Sequence, residues 1–186
     1  MNQYDLEICV LAIHPNYEGF GFAVFEWGEA LIDWGFKTTN HSRNIRCMKL
    51  IEDLIGRHKP DVIVIEDLTA KAARRGPRVK ALLGRISRLA TRWQIQCRRV
   101  PRATVIETFG PTLKTKHQIA CAITARFPEL ARWLPKPRKP WMKEDRKMSI
   151  FSAAALALTY YSRKDALGSC VLTQTQLESA RSGPAG

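Results

Sequence analysis

His14 follows the apolar run Leu6-Glu7-Ile8-Cys9-Val10-Leu11-Ala12-Ile13, and Glu66-Asp67 follows Val62-Ile63-Val64-Ile65. Near-continuous apolar runs of this length form strands covered on both faces. The polar groups at their carboxyl ends then stand at the mouth of a core, where open α/β folds place their sites. A carboxylate closing a buried strand is costly unless it is paired with a cation or bound to a metal ion. Glu66 therefore implies either a salt bridge to a lysine or arginine, or a metal site. An imidazole at the matching position serves as a ligand, as a proton acceptor, or as a hydrogen-bonded core residue. Asp67 points to the opposite face of its strand and is the weaker candidate.

Those two strands need a sheet around them. In residues 20–27, Phe20, Phe22 and Val24 alternate with Gly21, Ala23 and Phe25, and Gly28-Glu29 suits a hairpin link to a strand at 30–38. With residues 6–13 these make an antiparallel meander. Residues 43–58 carry Cys47, Leu50, Ile51, Leu54 and Ile55 at helical spacing, and Lys59-Pro60 ends that helix before the strand at 62–66. Strand, helix, strand implies a right-handed crossover and a parallel pairing. After Gly76-Pro77 a helix runs to about residue 94, with Val79, Leu82, Leu83, Ile86, Leu89 and Trp93 on one stripe and Arg78, Arg85, Arg88 and Arg92 on another. A strand at 95–100 carries arginines that suit a sheet edge. A helix at 116–127 precedes a proline-rich basic loop (Pro135, Pro137, Pro140, with Trp141), and a last helix spans 147–162. The expectation is one α/β domain over 1–165 and a poorly ordered tail over 166–186.

The five cysteines are odd in number, widely spaced and without a C-x-x-C pair, which reads as reduced packing residues rather than a disulfide framework or a zinc site. Asp5 and Glu7 ahead of the first apolar run have the wrong charge for a secretory signal, so a soluble, cytoplasmic protein is expected. Charge is distributed unevenly. Residues 1–67 hold 6 basic and 11 acidic groups, residues 68–147 hold 21 and 4, and residues 148–186 hold 3 and 2. A middle block at +17 attracts a polyanion, and nucleic acid is the commonest one in the cytosol.

Four motifs in order bring a family into view. Ile13-His14-Pro15 followed by Gly19-Phe20-Gly21-Phe22-Ala23-Val24 resembles the first hairpin of the RuvC-type Holliday-junction resolvases. Pro60-Asp61-Val62-Ile63-Val64-Ile65-Glu66 is similar to their fourth strand with its catalytic glutamate. Val105-Ile106-Glu107-Thr108-Phe109-Gly110 with Lys114-Thr115-Lys116-His117-Gln118 resembles the segment before their penultimate helix, and Ser149-Ile150-Phe151-Ser152-Ala153-Ala154-Ala155-Leu156-Ala157-Leu158 their closing helix. The match covers residues 6–162. It implies a ribonuclease H-like α/β fold, a five-stranded mixed sheet with an antiparallel meander followed by parallel strands, flanked by helices. It further implies a metal-dependent endonuclease acting on branched or structured nucleic acid, DNA ahead of RNA, as a nucleoid-associated homodimer with Mg2+ or Mn2+.

In that family four acidic groups, sometimes with a histidine, hold the metal. Carried over by position, the first-strand aspartate falls on His14 and the two closing-helix aspartates on Ser149 and Ser152, while Glu66 matches outright. Asp145 lies four residues before Ser149 and seven before Ser152, so a helix starting that early presents all three on one face, with Glu144 offset. The resulting set is His14, Glu66, Asp145 and Ser152, with Glu66, Asp145 and His14 as metal ligands. The bland alternatives are a helix-start Asp145 held by the macrodipole, and serines that allow close helix packing. Arg74, Arg75 and Arg78, just after the Glu66 strand, should line a cleft and contact phosphate, together with Arg85, Lys114 and Lys116. Lys136, Arg138, Lys139 and Trp141 mix charge with an aromatic, which suits unpaired bases. The alternative to an enzyme is a binding protein of this fold that has lost cleavage and keeps the basic cleft. Sugar-kinase-type phosphotransferases share the core but need a phosphate loop with an aspartate after the first strand, and His14-Pro15-Asn16-Tyr17-Glu18-Gly19 offers neither.

Overall fold

A computed structural model of the chain describes residues 8–28, 30–39, 43–69, 75–110, 112–139 and 141–163. The expected tail, 166–186, lies outside the described residues. Five strands form one sheet in the order β3-β2-β1-β4-β5. They are β1 (Cys9–Pro15), β2 (Gly19–Glu26), β3 (Ala30–Thr38), β4 (Val62–Glu66) and β5 (Gln96–Val100). β1, β2 and β3 pair antiparallel, while β4 and β5 run parallel to β1. The crossover helices are α1 (Arg43–His58) between β3 and β4 and α2 (Pro77–Arg92) between β4 and β5. After β5 come α3 (Arg102–Phe109), α4 (Lys116–Arg126), a 3-10 helix (Pro128–Trp133) and α5 over 148–163.

Period-2 alternation sorts the sheet into two cores. Leu11, Ile13, Phe20, Phe22, Val24, Ile63 and Ile65 meet the buried faces of α1 and α2. Val10, Ala12, Ala23, Phe25, Val62 and Val64 meet α4, the 3-10 helix and α5. The result is three layers, helices on both faces of a mixed sheet. β5 lies at the edge, as its arginines led one to expect, with Arg98 and Arg99 exposed.

α5 sits unusually close to the sheet. A Cβ on Gly21 would stand 2.3 Å from the carbonyl carbon of Ser149 and 2.6 Å from the backbone nitrogen of Ile150, so only glycine lets the helix start settle on β2. The helix is tied at both ends. Asn16 Nδ2 donates to Ser149 Oγ at 3.0 Å, and Tyr161 Oη donates to the carbonyl of Ile8 at 2.6 Å. Burial pushes the Tyr161 phenol well above its ordinary pKa, so it stays a neutral donor.

Three elements differ from the sequence reading. β1 extends through Pro15, because the hairpin closes on Asn16, whose Oδ1 accepts the N–H groups of Glu18 and Gly19, and this places His14 inside the strand opposite Gly21. α3 has no counterpart in the expected elements. It is one short helix rich in β-branched residues, held by Val105 and Phe109 packing on the core rather than by propensity. The 3-10 helix over Pro128–Trp133 likewise has no counterpart, whereas α5 begins at residue 148, within one residue of the expected start and after Asp145.

Candidate functional site

The parallel strands set three residues in a row. β1 and β4 pair Ala12 with Val64, so the same face next presents His14 and Glu66, and Glu66 pairs in turn with Val100 of β5. All three line a pocket of about 460 Å³, part of it open to solvent, with Arg102, Val105, Ile106, Lys116, Ile119, Phe151, Ser152, Ala155 and Leu156. The pocket therefore lies at the carboxyl ends of the parallel strands, under α3, α4 and α5.

Arg75 reaches into this row. Its Nη2 and Nε donate to Glu66 Oε2 at 2.7 and 3.1 Å, and Nη2 also lies 2.8 Å from His14 Nε2. A guanidinium only donates, so His14 Nε2 accepts and the proton of the neutral ring is on Nδ1. His14 Nε2 lies 3.5 Å from Glu66 Oε2. Burial holds the imidazole well below its ordinary pKa of 6.5, and the charges of Lys116, Arg75 and Arg102 push it further the same way.

The neutral His14 has a pH consequence. Below pH 6.5 the unfolded chain takes up a proton at residue 14 that the folded chain does not, so stability is full above that pH and falls as pH drops beneath it. The expected loss is up to about 1.4 kcal/mol per pH unit for one proton. Urea denaturation between pH 7.5 and 5 should give a shallower slope for His14→Gln than for the wild type. Identical slopes would count against a neutral, buried imidazole.

The other expected site residues are spread around this pocket. Ser152 lines it. Ser149 is buried and engaged by Asn16. Asp67 is turned onto its own loop, accepting from the Thr69 N–H and hydroxyl at 2.9 and 3.0 Å. Asp145 is exposed and lies outside the pocket lining. Its carboxylate accepts the Lys147 N–H at 2.8 Å and its carbonyl accepts the Met148 N–H, so it starts the turn that leads into α5. Glu144 holds Lys116 Nζ through both carboxylate oxygens at 2.7 and 2.8 Å. Burial lowers the pKa of Lys116, and Glu144 opposes that shift.

Of the expected phosphate contacts, Arg74 lies outside the described residues. Arg78 does not line the pocket: its Nη2 donates to the carbonyls of Asn16 and Tyr17, at 2.8 Å to the latter, and so clamps α2 to the first hairpin. Arg85 is exposed on α2, across the sheet from the pocket. Lys114, Lys136, Arg138, Lys139 and Trp141 are all exposed. Lys139 Nζ sits 5.5 Å over the Trp141 ring, and Arg138 donates to the Met142 carbonyl. Arg102 was not anticipated, because the helix it opens was not. Pro101 before an apolar i, i+4 pair (Val105, Phe109) and the terminating Gly110, at φ +93°, was the available signal.

A divalent cation does not fit this donor set. Mg2+ and Mn2+ take oxygen ligands, mostly carboxylates. The pocket offers one carboxylate already bridged to Arg75, one imidazole whose Nε2 accepts from the same guanidinium, and one hydroxyl. Among the described residues no three His, Cys, Asp or Glu side chains gather.

No family model matches the sequence, and no curated protein does. Solved structures do. Thermus thermophilus RuvC is 18% identical over 84% of this chain and 96% of its own, with a TM-score of 0.61. The same protein in complex with a Holliday junction substrate gives 17%, 84%, 95% and 0.60. The yeast mitochondrial Holliday junction resolvase Ydc2 is 14% identical over 90% of this chain and 85% of its own, with a TM-score of 0.60. These likenesses show the fold: the five-stranded mixed sheet with its flanking helices is ribonuclease H-like.

Proposed function

We propose that this chain binds structured or branched nucleic acid, DNA ahead of RNA, through the basic surface around the strand-end pocket. The carrying observation is where the charge lies. The stretch 68–147, at +17, supplies β5, α3, α4 and the loop before α5 as well as α2 on the far face, and its Arg98, Arg102, Lys114, Lys136 and Lys139 are exposed. The likeness to structures described as Holliday junction resolvases, one holding its junction, supports a branched partner. Lysines and arginines on phosphate fix orientation without reading bases, so recognition is of shape. A homodimer, presenting two such surfaces to the arms of a junction, belongs to the same proposal.

Metal-dependent hydrolysis of a phosphodiester is the second reading, favoured by His14, Glu66 and Ser152 sharing one pocket. Junction, flap and single-stranded DNA incubated with Mg2+ and then Mn2+ separate the two. The expected result is a retarded but uncut junction, for the wild type and for Glu66→Ala alike. Cleavage that Glu66→Ala abolishes would install the enzyme reading instead.

A further inference from the structure

At the place where the resemblance implies acidic groups, this chain collects positive charge. Arg75, Arg102 and Lys116 surround His14. The last two line the pocket, and its single carboxylate, Glu66, is bridged to Arg75. Arg102 is exposed and has no ion-pair partner among the described residues. It opens α3 after Pro101, which offers no side-chain acceptor, so the first N–H groups of that helix are left without a side-chain cap. Val105, Ile106, Ile119 and Phe151 form an apolar wall that lowers the local dielectric and strengthens any charge paired there. A cation brought here meets three like charges. An anion meets Arg102 without an ion-pair partner among the described residues and Lys116 held by one exposed carboxylate.

We infer that the pocket is a phosphate site: Arg102 and Lys116, with Arg75 behind them, hold a backbone phosphate of the bound nucleic acid where the resemblance would seat a metal ion. This deepens the proposed function and rests on it. In the free protein Glu144 occupies the Lys116 ammonium, and a phosphate takes over that ammonium by displacing the carboxylate. Glu66 is then a positioning residue, fixing the guanidinium of Arg75 beside His14.

Inorganic phosphate, titrated into the full chain at constant ionic strength, tests the site through the amide resonances of Val100 and of residues 102–106 and 116–119. Saturable shifts are expected, weakened at least tenfold in Arg102→Glu and tightened several-fold in Glu144→Gln, which frees the Lys116 ammonium. Free Mn2+, read by its electron paramagnetic signal, should show no saturable uptake. Phosphate that binds no better than chloride overturns the inference, as does saturable Mn2+ uptake lost in Glu66→Gln. Phosphate binding in a chain that retards no DNA would sink the proposed function and leave this site standing. Junction binding equal in wild type and Arg102→Glu, without phosphate shifts, would do the reverse.

Discussion

Gly21→Ala is expected to destabilise the protein by about 3 kcal/mol, at the severe end of what an added methyl costs in a packed interior. Its Cβ would meet the carbonyl carbon and oxygen of Ser149 at 2.3 and 2.4 Å and the nitrogen of Ile150 at 2.6 Å. All three are backbone atoms, so no side chain can swing aside. Either β2 bends, and with it the pairing of Gly21 to His14, or the start of α5 lifts from the sheet and takes Ser149 from Asn16. Gly56→Ala is the matched control. It lies within α1 with nothing near its would-be Cβ, and helix propensity predicts a gain of about 0.5–1 kcal/mol. Urea midpoints at equal slope measure both. A Gly21→Ala midpoint level with the wild type would mean that α5 does not rest on β2 as described.

Junction binding should weaken about a thousandfold when monovalent salt rises from 50 to 200 mM, given roughly six phosphates neutralised and a logarithmic slope near −0.9 per contact. The basic stretch supplies more than enough groups: 21 lysines and arginines against 4 acids. Arg78 is committed to hairpin carbonyls and Arg75 to Glu66, so the exposed groups carry most of the contacts, joined by Lys116 once a phosphate displaces Glu144. Fluorescence anisotropy of a labelled junction across that range gives the slope directly. A flat response would mean that a partner other than a polyanion uses this face.

The sheet was legible because its signals were local and mutually consistent. Uninterrupted apolar runs marked β1 and β4, helical spacing marked α1 to the residue, and the arginines of β5 marked an edge. His14 and Glu66 followed from the same logic, since the parallel register that buries Ala12 beside Val64 brings the next pair together. What the pattern could not give was decided by tertiary contact. α3 is too short and too β-branched to declare itself without the core it packs on, and Arg102 was hidden with it. Asp145 would share a face with Ser149 and Ser152 only in a helix starting before the expected 147, and the chain turns at Asp145 before α5 begins. Arg78, expected among the phosphate contacts, donates to two hairpin carbonyls, a pairing that sequence distance does not reveal.

The anchoring of α5 makes scaffold and charge cluster separable. A helix cross-linked to its sheet through an ion bridging carboxylates would loosen in a chelator. Here neutral bonds do that work: an amide on a serine at one end, and at the other a phenol whose ionisation burial postpones. Neither clamp touches Glu66, Arg75 or Arg102. The strand-end charges can therefore be exchanged, by selection or by design, while the architecture around them stands.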